Sequence, residues 1–201
     1  MAASLTSTDL TLDNTSGASI PGTPSAGQTV LYPKDDKLLY YKNDAGQELP
    51  PGKVVQVVNF QTGAMATGTT TIPYDNTIPQ ITEGNQYMTL AITPTNENNI
   101  LIISVAMAAL GSALANRPTV ALFVDAVADA LASSNCKYVA DAEIFTFYFS
   151  HRMVAGTTSE RTFKVRAGGN IATTLTFNGN DGTARLGGSL ASSITITEVT
   201  P

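Results

Sequence analysis

Between Glu143 and Ala167 the chain reads EIFTFYFSHRMVAGTTSERTFKVRA, and its large apolar side chains recur at every second position. In an extended chain successive side chains point to opposite faces, so Phe145, Phe147, Phe149 and Met153 share one face. Thr146, Tyr148, Ser150 and Arg152 share the other. The same rule sets Phe163, Val165 and Ala167 against Thr162, Lys164 and Arg166. Each strand therefore has one face for a core and one for water or a partner. With Gly156-Thr157-Thr158 read as a turn between them, the two are expected to pair as an antiparallel hairpin at the centre of a sandwich or barrel.

Length and composition fit that architecture. A chain of 201 residues can form one all-β domain of sandwich size with residues left over for a tail. Its 28 threonines suit strands better than helices. Charged residues make up 13%, against roughly 25% in an ordinary soluble domain, which implies that surface exposed on one chain is covered in an oligomer. The net charge is −5 and the 11 Lys and Arg form no run, which disfavours nucleic acid, since binding it rests on clustered cations. The single cysteine, Cys136, excludes an intrachain disulfide and a zinc site built from several thiolates. The opening MAASLTSTDLTLD lacks the basic start and apolar core of a signal peptide. The longest apolar run, Ile100–Leu110, falls short of the roughly 20 residues that span a bilayer. A soluble product without membrane insertion is expected.

In chain order, residues 1–29 are rich in Ser, Thr, Gly, Ala and Pro and cannot build a core alone. They read either as a disordered tail or as an extended anchor that orders against another protein, with Leu5, Leu10 and Leu12 as its contact residues. Residues 30–52 hold two short apolar-aromatic runs, Val30–Tyr32 and Leu38–Tyr41, separated by Pro33-Lys34-Asp35-Asp36. This predicts a small hairpin stalk whose contact residues are Leu38, Leu39, Tyr40 and Tyr41. Pro50-Pro51-Gly52 marks a boundary, and residues 53–201 are expected to form the head. There Val54–Asn59 reads as a central strand. Thr67–Gln86, with Pro73 and Pro79, reads as an edge or loop. Gln86–Thr93 places Met88, Leu90 and Ile92 on one face, and Asn99–Met107 is apolar on both faces. Ala108–Asn135 is ambiguous: a strand at 119–124 followed by a loop is preferred over a short helix. Ile171–Asn178 and Leu190–Val199 complete the set, the last with Leu190, Ile194 and Ile196 sharing a face. Some eight short strands with Gly-rich turns indicate a jelly-roll-like antiparallel β-sandwich.

Little in the sequence points to catalysis. His151 is the only histidine, and alternation sends it to the face opposite its neighbour Ser150, which removes a serine–histidine pairing. Asp125 and Asp129 could meet on a helical face but read better as solvated acids. Asn178–Gly182 resembles a calcium loop without the remaining ligands and is read as a turn. Gly168-Gly169 and Gly187-Gly188 flank strands rather than opening helices, so they do not cradle phosphate. No enzyme activity, cofactor or metal is expected. Thr146, Tyr148, Ser150 and Arg152 form a candidate interface or ligand face, because Tyr and Arg are enriched where proteins meet. A trimer axis and a carbohydrate-contact surface suit them equally.

Three segments, TGTTTIPYDNTIPQITEGNQYMTLAITPTNENNILII (Thr67–Ile103), AGTTSERTFKVRAG (Ala155–Gly168) and RLGGSLASSITITEV (Arg185–Val199), resemble a C-terminal β-domain that recurs in tail fibre and other virion fibre proteins of tailed bacteriophages. KDDKLLYYKNDAGQE (Lys34–Glu48) is similar to the short hairpin unit of phage fibre stalks. The resemblance spans residues 30 to 200 and departs in the Ala-rich stretch 108–135. It implies a homotrimer on the virion surface, at tail or capsid, made in the host bacterial cytoplasm. It also implies that other virion proteins hold the N-terminal segment while the head contacts a host glycan or protein receptor. It supplies no catalytic residues. A capsid head-fibre or decoration protein is the alternative, and a glycan depolymerase is weaker, because such sites need paired carboxylates.

Overall fold

The computed structural model of the chain describes residues 22–33, 39–42, 44–46, 48–49, 54–112, 116–137 and 143–201. The chain divides into two compact units, Met1–Lys53 and Val54–Pro201. In the first, β1 (Val30–Pro33), β2 (Leu39–Lys42) and β3 (Glu48–Leu49) form a small antiparallel sheet in that order. Tyr32 pairs with Tyr40 across β1 and β2, their rings 6.4 Å apart. The expected hairpin is present and gains a third strand. The backbone N–H of Gly27 donates to the Asp44 carboxylate at 2.7 Å, tying the lead-in segment to the turn after β2.

The second unit contains β4 (Val54–Thr62), β5 (Ala66–Gly68), β6 (Asn85–Ile92), β7 (Ile100–Ser112), β8 (Thr119–Val124), β9 (Ala132–Asn135), β10 (Ile144–Val154), β11 (Arg161–Gly168), β12 (Leu175–Phe177), β13 (Gly179–Asn180), β14 (Thr183–Ala184) and β15 (Ser192–Val199). Its larger sheet has the order β4-β15-β7-β10, and the facing sheet the order β6-β11-β8-β9. Eight strands thus nest as four antiparallel pairs: β4 with β15, β6 with β11, β7 with β10, and β8 with β9. That is the strand order of a jelly roll, so the fold class read from the sequence is the one observed. Beyond the end of β15, β12 takes its place against β7 and β5 pairs with β12, so the larger sheet stays four strands wide.

Register explains how the core fills. On the inner face of the larger sheet, Val58, Ile196, Ile103 and His151 lie in one cross-strand row. Phe60, Ile194, Val105 and Phe149 form the next. From the other sheet Met88, Phe163, Val165 and Leu122 close onto them, all fully buried. The six residues of β8 are buried on both faces. Its back, Ala121 and Phe123, is covered by Ile72 and Ile81 from the loop between β5 and β6. That loop is held by the Ile72 N–H donating to Gly169 at 3.0 Å and the Ile81 N–H donating to Ala128 at 2.7 Å. A side chain at Gly168 would collide with the loop backbone at Thr70–Ile72, so the close approach requires glycine there.

Several expectations are corrected. β10 and β11 do not pair with each other: β10 lies against β7 and β11 between β6 and β8, in opposite sheets. Alternation fixes which face of a strand is buried but not which strand it pairs with, and the Gly156 segment is a crossover between sheets. Ala155 N–H anchors that crossover on Asn99 O at 2.8 Å. β4 is an edge strand, not a central one, and its Val54 and Val57 are exposed. β7 is the central strand. It has one face in the core and the other half-buried rather than covered on both, and it continues through the alanines to Ser112. The stretch read at 171–178 contributes only β12. Asp181 and Gly182, both at positive φ, make the tight turn between β13 and β14. Leu190 precedes β15, and the fourth inward residue of that strand, after Ser192, Ile194 and Ile196, is Glu198.

Glu198 has no exposed surface. Its carboxylate accepts from Gln56 Nε2 at 2.5 Å, from Thr95 N–H and Oγ1 at 2.8 Å, and from Asn99 Nδ2 at 2.6 Å. The four bonds join β4, β15 and the β6–β7 turn. Burial alone pushes this carboxyl up, but the donors from Gln56, Asn99 and Thr95 together outweigh it and hold its pKa below the ordinary glutamate value. Glu198→Ala strands these donors and should lower stability by about 2–4 kcal/mol, read by urea denaturation at neutral pH. Because the folded pKa is depressed, the wild-type contribution is present above the unfolded value and is lost as pH falls through the folded one. Glu198→Gln should therefore flatten the stability profile below about pH 4.5 and leave its shape above that unchanged.

Candidate functional site

The outer face of the larger sheet is the strongest candidate surface. Register sets its side chains in cross-strand rows: Val57–Thr197–Ile102–Arg152, Asn59–Thr195–Ser104–Ser150 and Gln61–Ser193–Ala106–Tyr148, each running from β4 through β15 and β7 to β10. Of these twelve side chains Arg152 is the one formal charge. The middle row is wholly small and polar, and Asn59 Nδ2 donates to Thr195 Oγ1 at 2.8 Å along it. Tyr148 is 72% exposed and Val57 56% exposed at opposite borders of the face. Thr146 donates through Oγ1 to Ala108 O at 3.0 Å, next to the bulge that separates Phe145 from Phe147.

Thr146, Tyr148, Ser150 and Arg152 thus lie together, as alternation predicts, and the fold adds rows from three further strands. Those rows are not legible in the sequence, because β4 and β15 lie more than a hundred residues apart in the chain and their register is a tertiary fact. The stalk candidates divide between faces. Tyr40 opposes Tyr32 on one side of the small sheet, while Tyr41 opposes the exposed Leu31 on the other, with Leu39 on the Tyr41 side. Leu38, Leu5, Leu10 and Leu12 lie outside the described residues.

The groups weighed for chemistry are held apart. His151 points inward at the end of the row with Ile103 and Ile196, while Ser150 points outward. Asp125, at the end of β8, accepts from Arg161 Nε at 3.1 Å and from the Thr162 N–H at 2.8 Å. Asp129 instead accepts from Gln80 Nε2 at 2.9 Å. The two acids brace different loops. Cys136 lies at the end of β9 with its Sγ 3.6 Å from Pro118 O, and burial pushes its thiol pKa up, away from nucleophilic character. Among the described residues no three His, Cys, Asp or Glu converge as metal ligands. No helix among them is long and apolar enough to cross a membrane.

Two features escaped the sequence reading. Arg117 lies over the Tyr74 ring, 4.1 Å from its centroid, and pins the Pro73–Pro79 segment to the start of β8. Leu186 is exposed and sits at φ 52°, a conformation that disfavours a branched side chain; the Gly187-Gly188 pair after it was the available signal of a tight turn.

No family model matches the chain, and comparison with curated proteins finds no match. Among solved structures, the chain is similar to the EclA C-terminal domain, described as a sugar-binding protein. The identity is 17% and the TM-score 0.30, over 68% of this chain and 76% of that one. It is also similar to the VP2 subviral particle of infectious bursal disease virus, at 9% identity and TM-score 0.28, over 77% of this chain and 42% of that one. Both are distant likenesses.

Burial lowers the pKa of His151 below its ordinary value. The unfolded chain then takes up this proton first, so stability should begin to fall as pH drops below about 6.5 and continue falling to the folded pKa. His151→Phe should remove that part of the acid limb, measured as melting temperature between pH 7 and 5. An unchanged limb would show that the imidazole is not the group titrating.

Proposed function

We propose that this chain is a structural virion protein of a tailed bacteriophage: a trimeric fibre or spike subunit that is held on the particle by its N-terminal segment and meets the host surface through its β-sandwich head. The observation that carries the reading is the outer face of the larger sheet. Twelve side chains in three rows carry one charge, and a charge-poor face bordered by an exposed Tyr and Val matches surfaces that are covered on assembly. The low charge content of the whole chain points the same way. The jelly-roll order is compatible with this role, since the fold serves capsid and lectin domains, but a fold alone does not assign a function.

The reading is non-catalytic. His151 and Ser150 face opposite ways, and Asp125 and Asp129 are each engaged in bracing a loop. The head would recognise a glycan or protein receptor by contact, without cleaving it.

Light scattering on the purified protein should give three times the chain mass of 21.0 kDa. A clean monomer at micromolar concentration would sink the proposal. Labelled antibody on intact particles should then mark the tail; labelling confined to the capsid would favour a decoration protein.

A further inference from the structure

The larger sheet ends on both sides in an unpaired edge. Among the described residues β4 pairs only with β15, and β10 only with β7. Edge strands are normally blunted by charge, proline or brevity. β4 is nine residues long, VVQVVNFQT, with neither a charge nor a proline. It leaves Val54 59% and Phe60 37% exposed. β10 runs for eleven residues and carries Arg152 as its one cation. Two long edges, one without any guard, belong to the same sheet.

Resting on the trimeric reading above, we propose that the copies join edge to edge, β4 of one chain pairing with β10 of the next, so that three larger sheets close into a ring with their outer faces on the three-fold axis. Strand direction permits it. The four strands alternate, so β4 runs opposite to β10 and the antiparallel alternation continues across the junction. The contact joins two different surfaces of the chain, and such head-to-tail contacts form a closed ring when the rotation between copies completes a turn. The inner face is already occupied by the β6-β11-β8-β9 sheet, so only the outer face can turn to the axis.

Size permits it as well. Four strands at about 4.8 Å spacing make a sheet about 19 Å wide, and three such sheets curved evenly into a ring of twelve strands lie about 9 Å from the axis. Side chains of packed sheets reach about 5 Å, half of the roughly 10 Å between sheets, so the three outer faces would line a narrow axial space. The small middle row Asn59–Thr195–Ser104–Ser150 suits that confined space. Arg152, in the Val57 row, sits at the β10 border and not over the middle of the sheet. Phe60 would gain the aromatic inner row of the neighbouring β10, beside Phe149.

Three-fold rotation without stagger carries each row into the next copy, so Asn59 meets Ser150 of the neighbour. Any stagger moves in steps of two residues, because a single step would turn the core face outward. With at most one such step, which keeps the small middle row together at the axis, the neighbours of Asn59 are Ser150, Tyr148 or Arg152.

The test uses the full chain with Cys136→Ser. Asn59→Cys is combined in turn with Ser150→Cys, Tyr148→Cys and Arg152→Cys, and a short bismaleimide is added. One of the three doubles should run on a denaturing gel as a covalent trimer, while each single variant stays monomeric. A dimer from Asn59→Cys alone would mean two-fold pairing of β4 with itself and would overturn the proposal. A trimeric mass by light scattering with no cross-link in any double would overturn it too, leaving the trimeric reading intact. A monomeric mass would remove both. Val57→Lys, at a site exposed on the single chain, should shift the scattering mass from trimer to monomer with the far-UV spectrum unchanged; a trimer that tolerates the lysine contradicts the junction.

Discussion

The ladder that β7 makes on both sides holds the head together. Over thirteen residues it bonds to β10 along one edge and to β15 and then β12 along the other. Its inward residues Leu101, Ile103, Val105 and Met107 are fully buried, so the strand carries hydrogen-bonded and apolar contacts together. The relay from β15 to β12 is fixed by buried polar groups. Asn178, at positive φ, donates to Thr62 O at 2.7 Å and Ala64 O at 3.1 Å, and accepts from Ser192 Oγ at 2.6 Å. Ser192 Oγ in turn accepts from the Ala108 N–H of β7 at 2.9 Å. The break between β4 and β5 and the step from β12 to β15 are thereby secured by one network. Glu198 plays the corresponding part at the other end of the sheet.

What could be read from the sequence follows from the distance over which each signal acts. Alternation is local, so the buried faces of β6, β10 and β11 are legible from Met88, Phe147 and Phe163 alone. Pairing is not local. The jelly roll nests its strands so that β4 finds β15 across the whole head, and no pattern within either strand names the other. The hairpin expected at 143–167 shows this: the two strands with the clearest alternation are adjacent in sequence and lie in different sheets. Glu198 was hidden for a related reason. An acid two residues after Ile196 looks like the end of a buried run, and only the tertiary positions of Gln56, Thr95 and Asn99 make its burial possible. At the candidate surface, the β10 end of each row was legible and the rows themselves were not.

Among the described residues, the sheet centred on β7 has two open edges and a face with little charge. In a single chain these would be liabilities, since unpaired backbone groups and exposed Val and Phe invite uncontrolled association. An assembly that pairs the edges and turns the face inward resolves both with one set of contacts. The inner side of each sheet is rigidly packed, which presents those edges in a fixed geometry. Assembly and fold then depend on the same register.

Hydrogen exchange followed strand by strand tests this most directly. If the edges are paired in the native assembly, amides of β4 and β10 that point away from β15 and β7 should exchange as slowly as those of β7. They should become fast when the protein is diluted or converted to a monomer. Fast exchange along the outer edges of β4 and β10 in the undissociated protein, with β7 protected, would contradict the account.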